Sequence, residues 1–174
     1  SLKGGIKLKK ILLFLFILIL GITIINSKGQ ANYLEDYVKN ISEKNLTWTT
    51  VKKENYEGLP VHFLKFTSQT WKNIKWEHRL RIILPPKKTD PNYGILFITG
   101  SGRGEEEIKI MSSMVKNTHS AGIIVHDIPN QPLFGGKRED EIIAYTFSKF
   151  LETGNKDWPL LLPMTAGAVR ALDA

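Results

Sequence analysis

The chain has 174 residues, 42% hydrophobic and 24% charged, which is enough for a domain with a sizeable core and too apolar for a disordered segment. It contains no cysteine, so disulfides, thiolate nucleophiles and Cys-ligated zinc are excluded within it. The formal net charge of +7 is concentrated at one end: Lys3, Lys7, Lys9, Lys10 and Lys28 precede the first acid, Glu35, and setting those five aside leaves 19 basic against 17 acidic residues, a near balance that argues against a nucleic-acid groove.

The N-terminal stretch "KLKKILLFLFILILGITII" has a basic head and then fifteen residues, Ile11 to Ile25, with one glycine and no charge. A positive head, an apolar run and a polar exit form the layout of a secretion signal. The run is short for a span of about 20 residues, and Gly29 and Ala31 put small residues where a signal peptidase reads. Residues 1–31 are therefore expected to be a signal peptide or an N-terminal membrane anchor. Either one makes the protein exported (periplasmic, secreted or membrane-anchored), with membrane contact only through this segment. Residues 32–174 are expected to form the folded part. The chain starts at Ser1 and ends in a helical pattern without a stop signal, which reads as a piece of a longer protein.

Tyr33, Leu34, Tyr37, Val38 and Ile41 recur at helical spacing, so a short helix should open the folded part. Strand patterns follow. "LTWTTVKK" alternates weakly, with Trp48 as the expected inward anchor. "VHFLKFTS" suits an inner strand. "HRLRIILPP" sets Leu80, Ile82 and Leu84 on one face and Arg79, Arg81 and Ile83 on the other, and Pro85 and Pro86 end it. After the turn "TDPNYG" the pattern changes. "GILFITG" reads as a short buried strand, "EEEIKIMSSMVKNTH" as a helix with Ile108, Met111, Met114 and Val115 on one side, and "AGIIVHDIP" as a second buried strand. "REDEIIAYTFSKFLETG" carries a wide apolar stripe (Ile142, Ile143, Phe147, Phe150, Leu151) closed by Gly154 as a C′ glycine. Thr165 is placed to cap a last helix over 166–174. The expected fold class is α/β, with antiparallel strands followed by parallel βαβ units.

The loop between the first of these later strands and its helix, "ITGSGRGEEE", has Gly100, Gly102 and Gly104 at alternate positions. Such a loop suits three chemistries. A dinucleotide loop needs G-x-G-x-x-G, and here the third glycine falls one position early. Asp127 ends the next strand, roughly where a ribose partner would stand, but Glu105, Glu106 and Glu107 would repel a pyrophosphate from the helix N-terminus. An oxyanion loop, which supplies a backbone N–H after a strand and before a helix, fits the order better. A plain strand-to-helix turn is the third reading.

The strings "FITG" (97–100), "IPNQPL" (128–133), "REDEIIAYTFSKFLETG" (138–154), "WPLLLPMT" (158–165) and "AVRALDA" (168–174) occur in this order, after "SQTW" (68–71) and "WEH" (76–78). Together they resemble the PhoPQ-activated pathogenicity-related protein family, from about Tyr33 onward. The resemblance implies an α/β-hydrolase-like fold, of which this chain is the N-terminal part. It also implies a serine-type acyl hydrolase when full length, whose nucleophile turn lies downstream of the "AVRA" helix. The catalytic triad is then expected beyond residue 174, with no catalytic residue in this segment. The oxyanion-loop candidates are Gly100, Ser101 and Gly102, although Ser101 stands where the family usually has a second glycine. Asn130 and Gln131, framed by two prolines after a strand end, are the binding-loop candidates, with loop bracing as the alternative.

Of the four histidines, His62 and His126 fall inside strand patterns, His78 should pack beside Trp76, and His119 should end a helix. Neither Ser68 nor Ser101 has a Gly-x-Ser-x-Gly setting, and no metal-ligand spacing occurs. No metal, cofactor or nucleic acid is expected, only a small-molecule or peptide substrate of unknown identity. A non-catalytic binding or signalling protein on the same fold is the rival reading.

Overall fold

The computed structural model describes residues 33–44, 46–86, 93–102 and 104–174, and the expected signal or anchor, residues 1–31, lies outside them. The chain divides into two units, Ser1–Lys39 and Asn40–Ala174. Described residues of the first are the start of helix α1, residues 33–42. The second holds strands β1 (Thr47–Tyr56), β2 (Leu59–Trp71), β3 (Ile74–Ile83), β4 (Gly94–Ile98) and β5 (Ala121–Val125), with helices α2 (Glu105–Thr118), α3 (Asp140–Thr153) and α4 (Leu161–Arg170).

The first three strands form two tight hairpins. Each turn has two residues with positive φ, Glu57 and Gly58 in one and Lys72 and Asn73 in the other. That backbone matches the right-handed twist of paired strands. Asn55 secures the first turn by accepting the Gly58 N–H at 2.8 Å. The five strands run in the order β1-β2-β3-β5-β4. Only β4 and β5, joined through α2, are parallel, and β5 meets β3 antiparallel. The α/β class holds, but the expected plural βαβ units reduce to one, because α3 is followed by α4 rather than by another strand.

Helices cover both faces of the sheet. On one face Ile108, Met111 and Val115 of α2 pack with Leu59, Val61, Ile83 and Ile124. On the other, Leu64, Phe66, Leu80, Val125 and Ile128 pack with Ala171 and the partly buried Met164 and Ala168 of α4. Ile83, assigned from alternation to the face opposite Leu80, lies fully buried beneath α2. Gly122 lets α2 approach the sheet, since a Cβ there would lie 2.6 Å from Met111 Cγ and 2.7 Å from Val115 Cγ2.

Four sequence expectations need correction. Trp48 is not an inward anchor: it is 50% exposed, because β1 is an edge strand and the helices pack mainly on β2, β3 and β5. The strand "GILFI" is the opposite edge and leaves Phe97 and Ile98 exposed rather than buried. The stripe on α3 is only partly covered, with Ile142 and Thr146 buried but Leu151 80% exposed. Thr165 does not cap the last helix, which begins at Leu161 without a side-chain cap. Pro163 sits in the first turn, where a missing N–H costs no helical bond, and the Thr165 hydroxyl donates back to the Leu161 carbonyl at 2.8 Å.

Other local signals act as expected. Gly154 takes φ 65° and donates its N–H to the Phe150 carbonyl. His119 closes α2 in the left-handed region. Arg170, buried at the end of α4, donates to the carbonyls of Ser42 at 3.1 Å and Lys44 at 2.7 Å, which fastens the start of this unit to its last helix.

Candidate functional site

Past their last paired residues, β4 and β5 keep running together. The Thr99 N–H donates to the Val125 carbonyl at 2.9 Å, Ile128 N–H to Thr99 at 3.2 Å, and Asp127 N–H to Gly100 at 3.1 Å. The glycine loop is thereby held against the loop that follows β5. Gly100 is half-buried, and Ser101 and Gly102 are exposed. A Cβ at Gly102 would meet nothing within 4 Å, and one at Gly100 only Glu139 Oε1 at 3.7 Å and Gln131 Nε2 at 3.9 Å. Internal crowding therefore does not demand glycine at either position. Among the described residues, no backbone carbonyl accepts the N–H groups of Ser101 and Gly102.

Gly104 is a different case. It caps α2 with φ 75°, and a Cβ there would lie 2.3 Å from Arg81 Nη1 and 2.4 Å from His126 Cε1. Arg81 donates to the Gly104 carbonyl. Its guanidinium is shifted below the usual arginine value by burial and by neighbouring Arg79.

The two binding-loop candidates separate. Asn130 faces β3: its Oδ1 accepts the Glu77 N–H at 3.2 Å and its Nδ2 donates to the Lys75 carbonyl at 3.3 Å. Gln131 faces the glycine loop. Its Nε2 donates to Ser101 Oγ at 3.2 Å and to Glu139 Oε1, while its Oε1 accepts the Glu139 N–H at 2.9 Å. Glu139, expected only as part of a helix start, is a third member of this group. It holds φ 45° and ψ −125°, a conformation costly for a residue with a Cβ and one that accumulates at functional sites. No local signal in the sequence marks it, since its position is fixed by the fold of the loop between residues 128 and 139.

Beneath the loops lies a charged and imidazole layer. Arg79 forms a forked pair with Asp127, at 2.7 and 2.9 Å, which raises the arginine's pKa. His126 is fully buried with neither ring nitrogen partnered among the described residues. Burial, then Arg81 and Arg79, lower its pKa to about 4. His78 is equally buried, and burial likewise lowers it to about 4. Its Nδ1 lies 3.0 Å from the Asp127 carbonyl and its Nε2 2.8 Å from Ser68 Oγ. A carbonyl can only accept, so the proton is assigned to Nδ1, and Ser68 donates to Nε2.

No Gly-x-Ser-x-Gly motif or other local pattern in the sequence marks that contact. It arises because β2 slips register between Thr67 and Gln69, so Ser68 is a bulge residue whose side chain is re-aimed. His78 also packs against Trp76, with ring centroids 6.0 Å apart. Ser68 and His78 are 4% and 1% exposed, so this nucleophile-like pair is enclosed in the core. Among the described residues no group of three His, Asp or Glu side chains could hold a metal, and no helix is long and apolar enough to cross a membrane.

Among solved structures, the chain is similar to a protein of Bacteroides fragilis described as a candidate acetyl xylan esterase. The TM-score is 0.53 and the identity 16%, over 84% of this chain and 41% of the other. At that identity the likeness shows a shared fold alone, and the chain spans less than half the length of that protein. Among curated proteins none matches significantly. A family model described as PhoPQ-activated pathogenicity-related protein matches residues 34–174. With nearly the whole described region covered, the chain belongs to the PhoPQ-activated pathogenicity-related protein family.

Proposed function

We propose that the chain is the N-terminal part of an exported serine-type acyl hydrolase, in which the Gly100–Gly102 loop binds the oxyanion. The observation that carries this reading is the uncrowded loop itself. It has two N–H groups that no backbone carbonyl accepts among the described residues and two glycines that no internal contact requires. It lies at the ends of parallel strands, where hydrolase folds place an oxyanion donor. The Ser101 and Gly102 N–H groups would stabilise charge as it develops on a substrate carbonyl oxygen. Gln131, bonded to Ser101 and Glu139, fixes the loop's position.

The nucleophile, acid and histidine would come from chain beyond Ala174. The enclosure of Ser68 and His78 supports this, because a core pair cannot reach a substrate. The neighbour described as a candidate esterase makes an ester a reasonable first substrate class. Export rests on the basic head and apolar run of residues 1–31.

The test begins by reading the coding sequence past Ala174. A serine in a Gly-flanked turn, followed by an acid and a histidine, supports the enzyme, and its absence supports the non-catalytic binding protein. In the full-length protein, assayed on p-nitrophenyl acetate, Ser101→Pro removes one N–H. It should lower kcat by about 100-fold or more with little change in KM. Ser101→Gly should retain activity. Unchanged kcat in a folded Ser101→Pro variant would remove the loop from the mechanism.

A further inference from the structure

The proposed hydrolase site makes no use of His126. Its ring is fully buried, and neither nitrogen has a partner among the described residues. Three elements bring charge to it: β3 with Arg79 and Arg81, the start of α2 with Glu107, and the loop after β5 with Asp127. Gly104, which caps α2, stands so close that a Cβ there would lie 2.4 Å from the ring's Cε1.

A proton on this ring would meet positive charge from two sides, the two guanidinium groups of β3 and the N-terminus of α2, which is the positive end of a helix dipole. The nearby carboxylates are engaged elsewhere. Asp127 forks onto Arg79 at 2.7 and 2.9 Å, and Glu107 accepts the Thr99 hydroxyl at 3.4 Å. Glu105 and Glu54 act on Arg81. That fork holds Arg79 in place, and the Gly104 carbonyl holds Arg81. A buried charge without its own partner is costly, so the enclosure yields at its weakest wall. β3 and β5 are interior strands of the sheet. The start of α2 has no side-chain cap and follows the exposed Ser101 and Gly102. Opening such a segment costs less than unfolding the sheet.

We infer that His126 is a proton-sensitive latch: proton uptake by its ring releases the first turn of α2, and the glycine loop with it, while the sheet stays folded. In the closed state the neutral ring lies against the Gly104 backbone, and Arg81 bonds the Gly104 carbonyl. In the open state the ring reaches water and titrates at its ordinary value of 6.5, against about 4 when closed, where burial, then Arg81 and Arg79, oppose the charge. The open state therefore binds more protons between those values, and opening is favoured as pH falls from about 6.5 toward 4. His78 has no such outlet. It is equally buried, but both its nitrogens are engaged, by Ser68 and by the Asp127 carbonyl. The inference concerns the fold and can fail or succeed without the hydrolase reading.

Amide hydrogen exchange on the full-length protein tests it, with rates corrected for the intrinsic effect of pH. The reporter is the Ile108 N–H, which donates to the Gly104 carbonyl at 3.2 Å. Amides of the ladder that pairs Leu80 with Val125 report unfolding of the sheet. The opening equilibrium at Ile108 should rise about 20-fold from pH 7 to pH 5, the ratio set by values of 6.5 and about 4. Ile108 should also open more readily than the ladder at both pH values. In His126→Leu the rise should fall below about twofold, and His126→Met, also close in volume, takes its place should the leucine variant fail to fold. Three results would each overturn the latch: an opening equilibrium at Ile108 that ignores pH, one shared with the ladder amides, or an undiminished rise in the variant.

Discussion

The sheet buries one histidine on each face, and the two are held in opposite ways. On the α4 face both nitrogens of His78 are engaged, by Ser68 and by the Asp127 carbonyl. A Cβ at Gly167 would only touch its ring, at 3.4 Å. On the α2 face His126 has no polar partner among the described residues, and the backbone of Gly104 presses against it so closely that a Cβ would collide with its ring. Burial depth is the same, and both rings are held neutral near pKa 4. Burial is the main cause on both faces, joined at His126 by the charges of Arg81 and Arg79, while the hydrogen bonds decide which ring fixes its neighbours. His78 pins the main chain of Asp127, which in turn bonds Gly100. His126 fills space beneath the helix start.

The largest expected effect tests the crowded face. Gly104→Ala meets two penalties at once, a left-handed backbone worth about 1–2 kcal/mol and an overpacked contact worth about 1–3 kcal/mol. Arg81 can move its flexible end, but His126 is enclosed. A loss of about 2–4 kcal/mol in urea unfolding is expected. A loss under about 0.5 kcal/mol would mean that the α2 N-terminus is not packed on His126 as described.

A middle-sized effect separates the two histidines by pH. Each has a folded pKa of about 4 against an ordinary 6.5, so the unfolded chain binds more protons between those values. The stability they confer is fully present above about pH 6.5 and is lost as pH falls through the window toward 4. His126→Leu, close to histidine in volume, removes one titrating group and abandons no hydrogen bond among the described residues, so it should flatten the acid limb and cost less than about 1.5 kcal/mol at pH 7. His78→Phe should flatten the limb too, but it leaves the buried Ser68 hydroxyl unpartnered and should cost about 1–3 kcal/mol at pH 7. Equal behaviour of the two variants at pH 7 would erase the distinction between the faces.

How much of this was legible beforehand depends on the range of the signal. Helix α2, the strand "AGIIV" and the stop at Gly154 follow from local period and cap chemistry, and they lie where those rules put them. The hairpin turns at Glu57–Gly58 and Lys72–Asn73 were missed, since Lys-Asn is an uncommon pair for two positive φ angles. Trp48, Phe97 and Leu151 misled because an apolar side chain records a preference for burial without recording what covers it. Their neighbours in the sheet and on the helices decide that. At the site, Gly100 and Ser101 could be read from the strand–loop–helix order. The partnership of Gln131 with Glu139 could not, and neither could the pairing of Ser68 with His78. The first needs the path of a loop across twelve residues, and the second needs a bulge that moves one side chain out of alternation.

The smallest effect probes the α4 face and has the opposite sign. Gly167 lies within α4, and no left-handed backbone holds it there. An added methyl would lie 3.4 Å from His78 Nε2 and 3.5 Å from Ile128 Cδ1, which is contact without collision. Alanine favours a helix interior over glycine by about 1 kcal/mol, and filling contact distance adds dispersion. Gly167→Ala should therefore stabilise the fold by up to about 1 kcal/mol, with the melting temperature rising by about 2–4 °C. If it destabilises instead, the His78 ring is held too rigidly by Ser68 and Asp127 to yield a few tenths of an ångström. The hydrogen-bonded face would then be the stiffer of the two, and the contrast with His126 would rest on rigidity as well as on bonding.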